Sequence, residues 1–397
     1  MRLLYVCLDR GIPLGAPKGA AVHIEETLRA VAAEGHATAV LAHSTAEGHA
    51  PPCPAYLAPA PPEAASAPES RRLRLALRRV IERFRPDLVY ERYALFRTEA
   101  RGETWAADIP LVLEVNAPLV EETERFRRLR LGSAAVEAER YAWTRADLVV
   151  TPSERLADLI RSAGQERVLV IPNAVDPDRF DPSDDGGKVR HRLGLDDRFV
   201  VAWAGRLKGW HDPDTLVDAV AKLPKRLRPA LLLIGDGPDR TGVERRATEC
   251  NVTSVTTGAV SPRRVPELLA AADACVATLP ADPSLHYFSP LKALEYLAAG
   301  RATVVARAGA LTALAEAGAA LAYRPGDPAD LAARLEAVAR DAGLRRGLAR
   351  RGRSYAEGRT WRDAARATVD AAEALRPSER ALGARVGAAP TSDHDVS

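Results

Sequence analysis

Apolar positions in this chain fall into short unbroken runs separated by longer stretches of helical period. In the first half the runs cover residues 3–8, 37–41, 88–90, 111–115 and 148–151. In the second half they cover 199–204, 230–234, 252–256, 274–279, 303–306 and 320–323. Runs this short, rich in Val, Leu and Ala and bounded by turn residues, read as strands buried on both faces. Helical periodicity fills the intervals, as over 22–34 and 71–84. Sustained strand–helix alternation predicts an α/β protein built from doubly wound parallel sheets. The Pro- and Ala-rich segment between Ala50 and Ser70 breaks the rhythm and is expected as a surface loop.

A chain of 397 residues is long enough for two domains, each with its own core. The boundary is expected near Ile171-Pro172-Asn173-Ala174-Val175-Asp176, ahead of the polar loop 181–188. That gives an N-terminal Rossmann-like domain over 1–172, completed by a returning C-terminal helix near 360–376, and a second such domain over 173–359. Helical pattern runs over 341–375, and a disordered tail is expected over 377–397, where the residues are small and polar. In paired sheets of this kind ligands bind at the carboxyl ends of the strands, here in the cleft between domains.

Composition narrows the function classes. Apolar residues make up 47% and charged residues 27%, and a formal net charge of +3 is too small to argue for nucleic acid. Of the lysines Lys18, Lys188, Lys208, Lys222, Lys225 and Lys292, several lie in glycine-rich or phosphate-type segments, which favours point charges for an anion. Cys7, Cys53, Cys250 and Cys275 are scattered without metal-like spacing; Cys7 and Cys275 sit in apolar runs and are expected as buried thiols. The first apolar run ends at Asp9-Arg10, too short for a signal-peptide core, and no run reaches a membrane span. A cytoplasmic protein without stable membrane insertion is the expectation.

The candidate chemistry follows strand ends. Phe288-Ser289-Pro290-Leu291-Lys292-Ala293-Leu294-Glu295 reads as a loop that opens a helix at Pro290, with Leu291, Leu294 and Leu297 on one face. The free N–H groups of its first turn suit a diphosphate, and Glu295, one turn in, suits a ribose diol. Gly205-Arg206-Leu207-Lys208-Gly209 follows a strand and offers two cations for a pyrophosphate. Asp236, in Gly235-Asp236-Gly237-Pro238, either lines the same pocket or serves only its turn. The loop from Gly11 to Gly19 precedes a helix but has neither the spacing G-x-G-x-x-G nor the Gly-Lys-Ser/Thr of a P-loop, which argues against a dehydrogenase and an ATPase.

In their order these segments resemble glycosyltransferase family 4, whose members are retaining enzymes of the GT-B fold. The resemblance spans nearly the whole chain, from Gly15 through Ile171-Pro172-Asn173 and Gly205-Arg206-Leu207-Lys208-Gly209-Trp210-His211 to Phe288–Gly300. It implies that Arg206 and Lys208 hold the donor diphosphate, with Gly205 and Asp236 beside them. Backbone N–H groups around Ser289, Pro290 and Leu291 would bind the distal phosphate, Tyr287 and Phe288 would also line the donor site, Glu295 would hold the ribose, and Gly19 would approach when the cleft closes. No metal and no cofactor are implied, a UDP-sugar being the substrate and UDP-N-acetylglucosamine the favoured donor. Two positions depart from the family. Its paired acids stand eight apart, and the partner position to Glu295 holds Tyr287; a histidine common after the strand 111–115 is Asn116 here.

On the acceptor side Lys18, His23, Glu91, Tyr93, Glu114 and Asn116 are expected to face the cleft, while Glu121 and Glu124 read as a solvated helix face. Carboxylates there suit a small polyol or aminocyclitol. The chain also resembles the glycosyltransferases of aminoglycoside-antibiotic synthesis, which join an amino sugar to 2-deoxystreptamine. The alternative is a family 4 enzyme of surface polysaccharide or glycolipid synthesis, for which Arg71, Arg72, Arg74, Arg78 and Arg79, interleaved with Leu73, Leu75 and Leu77, would supply a membrane-facing patch.

Overall fold

The computed structural model describes residues 1–59, 67–126, 132–184, 186–287, 289 and 291–375. Among them the strands form two parallel sheets. The first holds β1 (Arg2–Cys7), β2 (Ala37–Ala42), β3 (Ala55–Leu57), β4 (Leu88–Arg92), β5 (Leu111–Glu114), β6 (Leu148–Thr151) and β7 (Val168–Val170), in the order β3-β2-β1-β4-β5-β6-β7. The second holds β8 (Val200–Ala204), β9 (Ala230–Ile234), β10 (Thr253–Thr256), β11 (Ala274–Ala277), β12 (Ala302–Ala306) and β13 (Leu321–Tyr323), in the order β10-β9-β8-β11-β12-β13. Strand order reverses between β1 and β4 and between β8 and β11. The loops leaving those strands diverge there and open a crevice.

Helices cover both faces, so the central strands bury every side chain, as in β8, β9, β11 and β12. Cys7 and Cys275 lie fully buried in this way, and burial pushes each thiol up to about 12. Two edge strands, β3 and β7, are only three residues long. β3 falls inside the segment read as loop.

The helical pattern over 341–375 is two helices, Ala342–Glu357 and Trp361–Glu373. They part at Gly358-Arg359-Thr360 because Thr360 caps the second: its Oγ accepts from the N–H of Asp363 at 3.2 Å and donates to the Asp363 carboxylate at 2.6 Å. The second helix packs on helix Gly19–Ala33, and its Trp361, Ala365 and Ala372 join the core of the first sheet. Val175 and Thr360, on the two passages between sheets, form a parallel bridge, and the Val175 N–H donates to the Arg359 carbonyl at 2.9 Å. The expected tail over 377–397 lies outside the described residues.

The arginine-rich helix Ala67–Phe84 turns Leu73 and Leu77 into the core and leaves Arg71, Arg72, Arg74 and Arg79 exposed. Leu73 and Leu77 are its packing stripe, so of the interleaved leucines only Leu75 remains exposed among the arginines. Among the described residues no helix is long and apolar enough to cross a membrane.

Candidate functional site

Two loops at the carboxyl edge of the second sheet meet through bare backbone. Gly205 follows β8 with φ +140° and Gly235 follows β9 with φ +139°, a region that side chains avoid. The Gly205 N–H donates to the Ile234 carbonyl at 2.9 Å, and the Leu207 N–H to the Asp236 carbonyl at 2.9 Å. A Cβ on Gly235 would stand 1.9 Å from the Gly205 oxygen, and one on Gly237 2.1 Å from the Leu207 oxygen. The two loops close on each other only because both positions lack side chains.

Arg206 is exposed at the rim, and Lys208 places its Nζ 3.8 Å from the centroid of the Trp210 ring. The Asp236 carboxylate accepts from its own neighbour Gly237 at 2.8 Å and stays exposed. Of the two roles left open for it, the turn is the one its hydrogen bond serves. His211 does not cap the following helix; Asp212 does, accepting from Thr215 at 3.4 Å. His211 instead lies edge-on to Trp203, 5.7 Å between centroids. Burial, with the charges of Lys292 and Lys208, holds its imidazole well below the usual range.

The helix Leu291–Ala298 is pinned to β8 by Tyr296, whose hydroxyl accepts from the Ala204 N–H at 2.7 Å. That fixes Lys292 and Glu295 at the pocket. Burial pushes the Glu295 carboxyl up, opposed by Arg179 and Lys292. Phe288 and Pro290 lie outside the described residues. Ser289 and Leu291 are described, and both reach the other domain: Asn173 donates to the Ser289 carbonyl, and a Cβ on Gly19 would stand 3.5 Å from Leu291. Two helix starts, at Gly19 and Leu291, therefore face each other across the cleft.

On the first sheet, Glu114 is the centre of a buried cluster. Its carboxylate accepts from Tyr5 at 2.6 Å, from Arg92 at 2.5 Å and from Asn116, with His23 Nε2 at 3.2 Å. Burial alone would raise its pKa. The charges of His23 and Arg92 and the hydrogen bonds from His23 and Tyr5 win, holding the carboxyl well below the usual range. Glu114 is 2% exposed and its oxygens are held by these neighbours, which it positions, while it lines the same pocket as His23 and Asn116. His23 and Asn116 border a pocket with Tyr90, Thr151 and Trp361. His23 Nδ1 lies 3.1 Å from Asn173 Oδ1, so Asn173 ties this cluster to Ser289 in the other domain.

The expectation for Glu91 and Tyr93 is corrected. Side chains alternate across a strand, and it is Arg92 that shares a face with Glu114; Glu91 and Tyr93 point the opposite way. Tyr93 lies edge-on to Trp143 at 6.4 Å with its hydroxyl against Glu139. Glu91 is 3% exposed, and burial, helped by Glu99 and opposed by Arg97, pushes its carboxyl up to about 8. An unfolded carboxyl titrates near ~4.3, so the folded protein gives up stability as pH rises from there through about 8. Glu91→Gln is expected to be the more stable protein at pH 8, by roughly 1–3 kcal/mol, and to lose that advantage towards pH 4. Unfolding curves across that range check it. Lys18 turns back to the Gly11 carbonyl at 2.5 Å, closing the loop that leads to Gly19 rather than reaching across the cleft.

Tyr287, which stands where the family pattern calls for an acid, is 3% exposed and donates to Glu122 at 3.1 Å. Glu122 comes from helix Leu119–Phe126 of the first domain, whose Arg125 also binds Asp282 and Ser284. Arg125 and Ser284 hold the Asp282 carboxyl down to about 2. Glu121 and Glu124 of the same helix are exposed, as its polar pattern requires. Ser153 donates to the Tyr287 carbonyl at 3.0 Å, so this loop is clasped from two sides.

Comparison with known proteins places the chain. Residues 17–179 match the profile of Glycosyltransferase Family 4, and residues 198–341 that of Glycosyl transferases group 1. The chain belongs to glycosyltransferase family 4. A 2-deoxystreptamine glucosyltransferase of Streptomyces kanamyceticus is 32% identical over 174 residues, 41% of this chain and 43% of that protein. A D-inositol 3-phosphate glycosyltransferase of Stackebrandtia nassauensis is 30% identical over 301 residues, 69% of this chain and 65% of that protein. The match thus spans less than two thirds of the length of either curated relative. The structure of HepE from Anabaena in complex with UDP and glucose superposes with a TM-score of 0.75 at 20% identity, covering 94% of this chain and 100% of that one. That likeness is one of fold, which is GT-B.

In this family 4 glycosyltransferase, several site residues escaped the sequence reading. Asn173 was taken only as linker. Arg125 sits on a helix whose polar face looked solvated. Lys292 was visible in its motif but gave no sign of its burial.

Proposed function

We propose that this protein moves a sugar from a UDP-sugar, UDP-N-acetylglucosamine first, to a small hydroxylated acceptor such as 2-deoxystreptamine, with retention at the anomeric carbon. The observation that carries this is the meeting of the Gly205 and Gly235 loops with the helix start at Leu291, opposite Gly19, with Lys208 and Glu295 at its two ends. Arg206 and Lys208 hold the diphosphate, N–H groups at the helix start take the distal phosphate, and Glu295 accepts from the ribose hydroxyls. These groups absorb the charge of the leaving nucleotide, so the proposal includes no metal and no cofactor. Support for the donor comes from HepE, solved with UDP and glucose, and for a cyclitol acceptor from the names of the two curated relatives. The pocket bordered by His23 and Asn116 is the place for that acceptor.

A thermal-shift screen against UDP-, GDP- and TDP-sugars tests the donor, because a ligand that binds only the folded state raises Tm by mass action. A UDP-sugar is expected to give the largest shift. Lys208→Ala is expected to weaken that ligand by roughly 1.5–3 kcal/mol, and unchanged affinity would count against the phosphate assignment.

One observation favours a glycolipid acceptor instead: the row of exposed Arg71, Arg72, Arg74 and Arg79. Co-sedimentation with anionic vesicles decides for or against it.

A further inference from the structure

Lys292 is the second residue of the helix Leu291–Ala298, yet its Nζ is sealed from solvent and has no hydrogen-bond partner among the described residues. The amine lies 3.9 Å from the centroid of the Trp203 ring and 3.2 Å from where a Cβ on Gly205 would stand. It therefore comes up against the glycine loop at Gly205, which has no side chain to block it. Arg206 and Lys208 follow in that same loop. A buried amine without a partner is costly to keep, and a group that only filled space under Trp203 would need no nitrogen.

We propose that Lys292 is a third cation of the nucleotide site, which reaches the donor diphosphate past Gly205 and takes up a proton from solvent as the nucleotide binds. This rests on the nucleotide-sugar reading above. In the empty site burial pulls the amine down to about 7, with only Glu295, on the same helix, acting against it. His211, from the segment after β8, also faces it and gives it no negative charge. Above neutrality the amine is therefore mostly uncharged until a diphosphate arrives. The phosphate charges then favour the ammonium, which forms an N–H to phosphate oxygen bond. No other bond is made or broken. Affinity is flat below pH about 7 and falls as pH rises beyond it, because each binding event must then include protonation.

Calorimetry with UDP-glucose, whose diphosphate does not titrate near neutrality, reads the proton directly when run at pH 8 in two buffers of different ionisation enthalpy. The unaltered protein is expected to take up close to one proton per site. Lys292→Met is expected to take up almost none, to bind about tenfold or more weakly at pH 7, and to lose the decline between pH 7 and 9. Without ligand, the same variant is expected to melt higher than the parent, most clearly at or below pH 7. Binding without proton uptake, or uptake that survives in Lys292→Met and so belongs to His211, overturns the inference. So does a variant that melts lower and binds unchanged. Failure of the unaltered protein to bind UDP-glucose would instead sink the nucleotide-sugar reading, and this one with it.

Discussion

Glu114→Ala is expected to cost roughly 3–5 kcal/mol of folding stability, the usual penalty for removing one partner of a buried ion pair. Arg92, whose side chain is 11% exposed, would keep its charge and lose its counter-ion, and the buried Tyr5 hydroxyl would lose its acceptor. The paired change Glu114→Leu with Arg92→Met removes both charges and is expected to recover most of the loss. Denaturant unfolding of the three proteins separates these outcomes; a single variant within about 1 kcal/mol of the parent would mean the cluster is not under strain of burial. The pH dependence has a definite sign. The folded carboxyl is held below its unfolded value, so its contribution is complete above about 4.3 and is lost as pH falls below that towards the depressed folded value.

The second large effect is expected at Gly235. Alanine there meets two obstacles, a φ of +139° and a Cβ placed 1.9 Å from the Gly205 oxygen. The backbone strain alone is worth roughly 1–3 kcal/mol, and the overlap forces the Gly205 loop outward with Arg206 and Lys208 on it. Nucleotide affinity is expected to fall more than tenfold, along with a lower Tm. Gly242→Ala is the matched control: it lies in helix Arg240–Glu249 with nothing within 4 Å, so stability should rise slightly and binding stay unchanged. Equal behaviour of the two variants would show that the loops are not held by backbone contact.

Most of the fold was readable because its central strands are buried on both sides and so appear as unbroken apolar runs. The same feature hid the site. In Tyr90-Glu91-Arg92-Tyr93 no apolar–polar alternation marks which side chains face which layer, and a shift of one position exchanges Arg92 for Glu91. Glycine loops and the helix start at Leu291 announced themselves locally, through residues that have few other uses. Asn173 and Arg125 did not, because their partners Ser289 and Asp282 lie 116 and 157 positions away. Contacts between domains leave no periodic trace in either segment.

Because the chain passes between its lobes twice, and Val175 and Thr360 zip the two passages side by side, the lobes share a narrow axle. Shear along the interface would break the Val175–Arg359 hydrogen bond, while rotation about the axle leaves it whole. A jaw-like swing about that axle would keep this bond while parting Gly19 from Leu291.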